Sequence, residues 1–301
     1  GVFQAAVGIE TGLFENCYTL AVDRCSNGPH TIWPNPMGPG GQVTSENWVM
    51  DHFNLDPWGG TAMIQTAENV AKEFGLSREK CDAATLRRYE QYKEALADDR
   101  AFQKRYMYAV EVKVSRKKTL LLEADEGVMA TSAEGLAGLR SVQPGGVITF
   151  GSQTHPADGN CAVVVTTREK ARELSADPKA EIRVVSYGYH RAKKAHMAMA
   201  VVPAAQMALE KAAIGVSDVK VIKTHNPFAA NDIYMADQMK IDVNGFNNYG
   251  SSLIFGHPQA PTAARLIIEG IEETVLKGGG YMLFTGCAAG DTGAALVLKV
   301  G

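Results

Sequence analysis

Residues 255–290 read FGHPQAPTAARLIIEGIEETVLKGGGYMLFTGCAAG. Leu266, Ile267, Ile271 and Val275 recur on one face at helical spacing, and the apolar run Met282-Leu283-Phe284 follows them. The stretch therefore predicts a helix over 262–276 and a strand over 281–284. The same alternation precedes it: a strand over 163–166, a helix over 168–174, a strand over 182–186, a helix over 203–213 and a strand over 219–222. Strands alternating with helices at this spacing predict an α/β fold in which helices cover a mixed sheet. Two reactive side chains flank the quoted helix and strand, His257 before the helix and Cys287 after the strand.

Working back toward the amino terminus, Val2, Phe3, Ala6, Val7 and Ile9 have near-helical spacing with Gly12 as a stop, and Tyr18–Val22 is rich in β-formers. Residues 28–41 are dense in Gly, Pro and Asn, which predicts an irregular, turn-rich stretch. Loops of that length are usually functional or belong to an inserted subdomain. Helical spacing returns with Met63, Ala67, Val70, Ala71 and Phe74, and Gly75 ends that helix. Ser77 then caps a second helix over 78–97, and strand-like runs follow over 108–114 and 120–123. Residues 28–150 thus read as a helix-rich insertion between strands.

With 301 residues, 46% of them apolar, and a net charge of −3, the chain can bury a large core and is neither disordered nor fibrous. The balance argues against a nucleic-acid partner. The densest basic run, Arg116-Lys117-Lys118, is short and suits either a solvated strand edge or contact with phosphates. Five cysteines (Cys17, Cys25, Cys81, Cys161 and Cys287), odd in number and without close pairs, suit neither a zinc site nor a disulfide framework. They predict a reducing compartment. With no apolar run of membrane-spanning length and no charged-then-apolar leader, the expectation is a cytoplasmic protein without a membrane partner.

A third polar group stands with His257 and Cys287, because Thr224-His225-Asn226-Pro227-Phe228-Ala229 closes an apolar stretch. Two histidines and a cysteine on three Gly- or Pro-rich turns hold the elements of acid/base chemistry. His225-Asn226-Pro227-Phe228-Ala229, Tyr249-Gly250-Ser251 leading into Gly256-His257-Pro258, and Cys287 before Ala294–Leu298 together resemble the carboxyl-terminal half of a thiolase. The likeness extends through Thr66-Ala67-Glu68-Asn69-Val70-Ala71, Asp158–Val165, and Val202-Pro203-Ala204-Ala205 with Ala208–Ala212, which is nearly the whole chain.

The resemblance implies a five-layered αβαβα fold with mixed sheets. Residues 1–27 and 151–175 would belong to the amino-terminal half, residues 28–150 to a loop domain over the active site, and residues 176–301 to the carboxyl-terminal half. It implies that His257 deprotonates a nucleophilic cysteine and stabilises an oxyanion, and that Cys287 is the acid/base for the substrate α-carbon. His225, as in sterol-carrier-type thiolases, would donate to the thioester oxygen where many members have asparagine. Asn226 would support the histidines or cap the helix that begins near Ala229, and Gly250 and Gly256 would let backbone approach the thioester or simply serve tight turns. Asn231 is read as a helix cap and Asp291 as a turn residue, while Trp33, Met37 and Trp58 are read either as the lining of an acyl pocket or as plain packing. The nucleophile itself is expected just upstream of Gly1, since Gln4-Ala5 matches the helix that follows it.

Coenzyme A would be a substrate, with no covalently bound cofactor and no metal. Acyl-CoA would be the other ligand, and the assembly a homodimer or tetramer. The wording Asn247-Asn248-Tyr249-Gly250 and Cys287–Thr292 is similar to thiolases of unusual substrates, such as the benzoylsuccinyl-CoA thiolase, which works with a small zinc-binding accessory subunit. Two alternatives stand beside this reading: a ketoacyl carrier-protein synthase, and a non-catalytic acyl-CoA or lipid-binding scaffold. Cys287 speaks against the synthase, whose decarboxylative reaction needs no second thiol.

Overall fold

A computed structural model describes residues 1–177 and 179–301. The amino-terminal part runs α1 (Val2–Glu10), β1 (Asn16–Arg24), β2 (His30–Pro34), β3 (Val43–Asn47), α2 (Met50–Asn54), α3 (Met63–Glu73) and α4 (Arg78–Ala95). A single turn, α5 (Ala97–Arg100), precedes β4 (Val110–Ser115), β5 (Lys118–Leu122) and α6 (Ala133–Ala137). Then come β6 (Asp158–Thr166), α7 (Arg168–Leu174), β7 (Ile182–Arg191), α8 (Val201–Lys211), β8 (Val219–His225) and α9 (Ala229–Met239). The chain closes with α10 (Ser252–Phe255), α11 (Ala260–Leu276), β9 (Gly280–Ala288) and β10 (Thr292–Val300).

The principal sheet has the order β7-β10-β9-β8, with β8 parallel to β9 and the other pairs antiparallel, so it is mixed as the alternation predicted. Helix α8 covers one face and α11 the other. Met282 of β9 lies against Gly270 of α11, whereas Thr285, on the opposite face of the same strand, donates to Val201 O of α8. A strand covered on both faces is apolar without alternation, which is why Met282-Leu283-Phe284 is buried throughout. Close approach of α8 requires small residues: a Cβ on Gly188 of β7 would lie 1.9 Å from Ala204 O. Helix α11 also packs on a second sheet, the antiparallel pair β1–β6, and α1 lies there too, with Phe3 stacked on Tyr187 of β7 at 4.5 Å. The layers thus run helix, sheet, helix, sheet, with α7 against β6.

The insertion holds α3 and α4, which pack on α9 and contribute Val70, Cys81, Ala84 and Tyr92 to the shared core. Three expectations need correction. Residues 28–41 are not irregular throughout: β2 and β3 form an antiparallel hairpin from His30↔Asn47 to Pro34↔Val43, and the Gly- and Pro-rich residues supply its apex. The helix from Arg78 ends at Ala95, before the left-handed Asp98 and Asp99. Finally, His225 and Cys287 lie on strand ends rather than on turns, because β8 and β9 continue past their apolar runs and remain paired up to His225↔Gly286.

Candidate active site

Parallel pairing of β8 with β9 sets His225 beside Gly286, one residue before Cys287, at the carboxyl ends of adjacent strands. Such strand ends form the open crevice of α/β sheets. Gly286 makes the approach possible, since a Cβ there would lie 3.1 Å from the His225 Cβ. His257 arrives from α10 through Gly256, whose φ of 92° is open to glycine. The His225 and His257 rings lie 4.2 Å apart, centre to centre. His225 Nδ1 is bonded to Ser252 Oγ at 2.8 Å and His257 Nδ1 to Thr262 Oγ1 at 2.6 Å. Thr262 Oγ1 accepts or donates, so either tautomer of His257 is accommodated, whereas the single Ser252 hydroxyl proton goes either to His225 Nδ1, which leaves the His225 proton on Nε2, or to Asn226 Oδ1. Among the described residues neither Nε2 has a protein partner.

Burial pushes the His257 imidazole down from 6.5 to about 4, and burial followed by the neighbouring His257 holds His225 well below its ordinary value. Both rings are therefore neutral near pH 7. The folded state refuses protons that the unfolded chain binds between about pH 6.5 and about pH 4, so the stability due to these rings is complete above the unfolded value and is lost as pH falls through that window. Each histidine contributes a slope of about 1.4 kcal/mol per pH unit there. Urea unfolding at about pH 7 and about pH 5 should show this loss, with a smaller loss in His257→Gln; an unchanged midpoint would contradict neutral burial.

Cys287 is a buried thiol pushed up to about 12, chiefly by burial and slightly by Asp291, with the Asn231 hydrogen bond opposing. Asn231 is not a cap. The cap position belongs to Phe228, and Asn231, already inside α9, turns its amide across to β9 and donates from Nδ2 to Cys287 Sγ at 3.3 Å. Asn226 braces the loop, as support requires: Oδ1 accepts from Leu253 N and Ser252 Oγ, and Nδ2 donates to Ser251 Oγ and Asp232 Oδ2. Asp232 was not singled out by sequence reasoning. It also accepts from Thr224 Oγ1 and Arg88 Nε, and its ion pair with Arg88 is fully buried. The pair spans 144 residues, so no local spacing announces it.

The space beside Gly250 and Gly256 is filled by protein. A Cβ on Gly250 would meet Tyr92 at 3.0 Å, and one on Gly256 would meet Ala157 and His155 at 2.9 Å. Their freedom thus serves packing and positive φ. Asp291 is a turn residue, φ 55°, whose carboxylate accepts from Ala195 N and His196 N. Trp33 and Met37 stand exposed on the β2–β3 hairpin, Met37 at 93%. Trp58 lies under the cations of Arg191 and Lys194. A cavity of about 280 Å³ lies between Leu136, Leu139, Phe150, His155, Leu253 and Ile254. Sequence reading missed it because its walls come from three distant segments.

Cys25 comes near the site only from behind, its Sγ 3.8 Å from the backbone oxygen of His257. Among the described residues no group of three or more His, Cys, Asp or Glu could hold a metal ion, and no helix is long and apolar enough to cross a membrane.

Two family models match this chain, "Thiolase, N-terminal domain" over residues 3–169 and "Thiolase, C-terminal domain" over residues 177–300. The chain belongs to the thiolase family. It is 32% identical over 272 residues to the 3-ketoacyl-CoA thiolase of Aliivibrio fischeri (strain MJ11), with 80% of this chain and 58% of that protein covered. To the beta-ketothiolase BktB of Cupriavidus necator it is 31% identical over 274 residues, covering 90% of this chain and 67% of that one. The chain therefore spans little more than half the length of the first of these thiolases. Among solved structures it is similar to Bacillus anthracis acetyl-CoA acetyltransferase, with a TM-score of 0.90 at 26% identity, covering 100% of this chain and 75% of that one. It also matches human mitochondrial 3-ketoacyl-CoA thiolase in complex with CoA, with a TM-score of 0.87 at 25% identity and the same coverage. The thiolase fold inferred from His225–Ala229, Gly256-His257-Pro258 and Cys287 is thus the fold of the molecule.

Proposed function

We propose that the intact protein is a thiolase that cleaves a 3-oxoacyl-CoA with a second CoA, or runs the reverse Claisen condensation. The observation that carries this reading is the convergence of two histidines and a buried thiol at the ends of β8, β9 and the Gly256 turn. A cysteine thiol gives its proton to His257 and attacks the 3-oxo carbonyl as the thiolate. The bond between C2 and C3 breaks, leaving the acyl group on that sulfur and an enolate of acetyl-CoA. Cys287 gives its proton to C2, and His225 and His257 donate from Nε2 to the thioester oxygen on which the enolate charge rests. Cys287, now a thiolate, takes the proton of the incoming CoA, whose sulfur attacks the acyl carbonyl; the bond to the nucleophilic sulfur breaks, and that thiolate takes back the proton held by His257. On this reading the nucleophile lies just ahead of Gly1, in keeping with the backbone-side placement of Cys25.

The exposed apolar residues Tyr18, Leu20 and Val22 of β1 support assembly as a dimer or tetramer. The test is to incubate the intact protein with CoA and a panel of acetoacetyl-, long-chain 3-oxoacyl- and aryl 3-oxoacyl-CoAs, and to follow acyl-CoA products and acyl-enzyme by mass. Shortened acyl-CoA together with a cysteine adduct is expected, and the panel identifies the acyl group. Tight acyl-CoA binding with no product and no adduct would replace this reading by the binding scaffold.

A further inference from the structure

The two buried amides of the site are held differently. Both ends of the Asn226 amide are bonded to protein, which fixes its orientation. Asn231 is equally buried, 3% exposed, yet its Nδ2 is bonded to Cys287 Sγ alone and its Oδ1 has no partner among the described residues. Unpaired buried acceptors are uncommon and call for a reason.

We propose that Asn231 is the positioning residue of Cys287 and serves both protonation states of its sulfur by rotating the amide about χ2. With Nδ2 toward the sulfur, the amide donates to a thiolate; turned over, it presents Oδ1 and accepts from the thiol. The amide NH2 and O are nearly equal in size, and because only the sulfur holds this amide, the rotation breaks no other protein hydrogen bond. A fixed cation would favour the thiolate alone and a fixed carboxylate the thiol alone. An acid/base that alternates between the two is matched by a group that can donate or accept. The charged groups nearby do not compete for the role. Asp232, one residue along α9, is committed to Arg88, Thr224 and Asn226, and Asp291 beyond β9 is committed to the amides of Ala195 and His196.

The role presupposes that Cys287 is the acid/base of the proposed reaction, so the test reads the sulfur itself rather than turnover. The intact protein, with Asn231→Leu and Asn231→Asp variants, is treated with iodoacetamide near pH 8.5, and modification of Cys287 is timed by peptide mass. Only the thiolate reacts, so the rate reports its population. Leucine, similar in size and unable to donate, should slow Cys287 alkylation about tenfold, as expected for loss of a hydrogen bond to a charged group. Aspartate, which can accept but repels a thiolate, should slow it further. If Asn231 were only a filler, leucine would leave the rate unchanged or raise it by loosening the site, and either result overturns the proposal, as does an aspartate variant that reacts as fast as the parent. Cys81, buried within the insertion, reports folding by remaining unmodified. If one variant exposes Cys81, the other decides. Absence of thiolysis in the parent, together with the expected slowing of alkylation in both variants, would refute the reaction and leave the amide assignment standing.

Discussion

Asp232→Ala should cost about 3–5 kcal/mol of folding stability, because it leaves the guanidinium of Arg88 buried with no opposite charge. Both partners are essentially inaccessible to water, and among the described residues Arg88 has only Gln91 Oε1, Val243 O and the ring of Phe246 beside the carboxylate. The site should suffer as well. Asp232 holds Thr224, which precedes His225, and Asn226, which holds the start of α10 leading to His257. Two of the three reactive groups are thereby placed by one carboxylate. Urea unfolding measures the loss. The double variant Arg88→Met with Asp232→Leu should recover much of it, since apolar replacement removes the unpaired charge instead of exposing it. A loss below about 1 kcal/mol for Asp232→Ala would show that water or a rearranged chain compensates Arg88.

The contrast between Asp232 and His257 explains what could be read in the chain. Periodicity marked the α11–β9 unit because its apolar positions repeat locally, and Gly256-His257-Pro258 and Cys287 were legible because they flank that unit. The insertion's two long helices were legible for the same reason, with Ser77 found as the cap whose side chain accepts from Lys80 N. Contacts between distant segments carry no such mark. The Arg88–Asp232 pair, the bond from Asn231 to Cys287, and the cavity walled by Leu136, Phe150 and Leu253 all depend on topology. Asn231 shows the hazard most clearly. Asparagine near a helix start reads as a cap, but the helical phase set by Phe228 places it one turn inside, facing a strand. Strand lengths were underestimated because the reading stopped at the last apolar residue. The ladder carries β8 and β9 on to His225 and Gly286, where polar and small residues remain paired because their backbone groups need partners.

Cys287→Ser should lower kcat for thiolysis by about 10²–10⁴ while KM for the acyl-CoA changes little. Serine preserves the size of the side chain and its capacity to bond with Asn231, so positioning survives. What it loses is acidity: a thiol gives its proton to the enolate carbon far more readily than an alcohol does. The parent thiol is already pushed up to about 12 by burial, which keeps it protonated at rest and ready to act as the acid in the first half-reaction. An acyl adduct on the nucleophile should still form in Cys287→Ser, slowly, because attack depends on His257. His257→Ala should abolish the adduct itself. Measuring adduct formation and turnover separately in the intact protein distinguishes the two roles: a Cys287→Ser enzyme with unchanged kcat would remove the thiol from the reaction, and an adduct that forms at full rate in His257→Ala would move the base elsewhere.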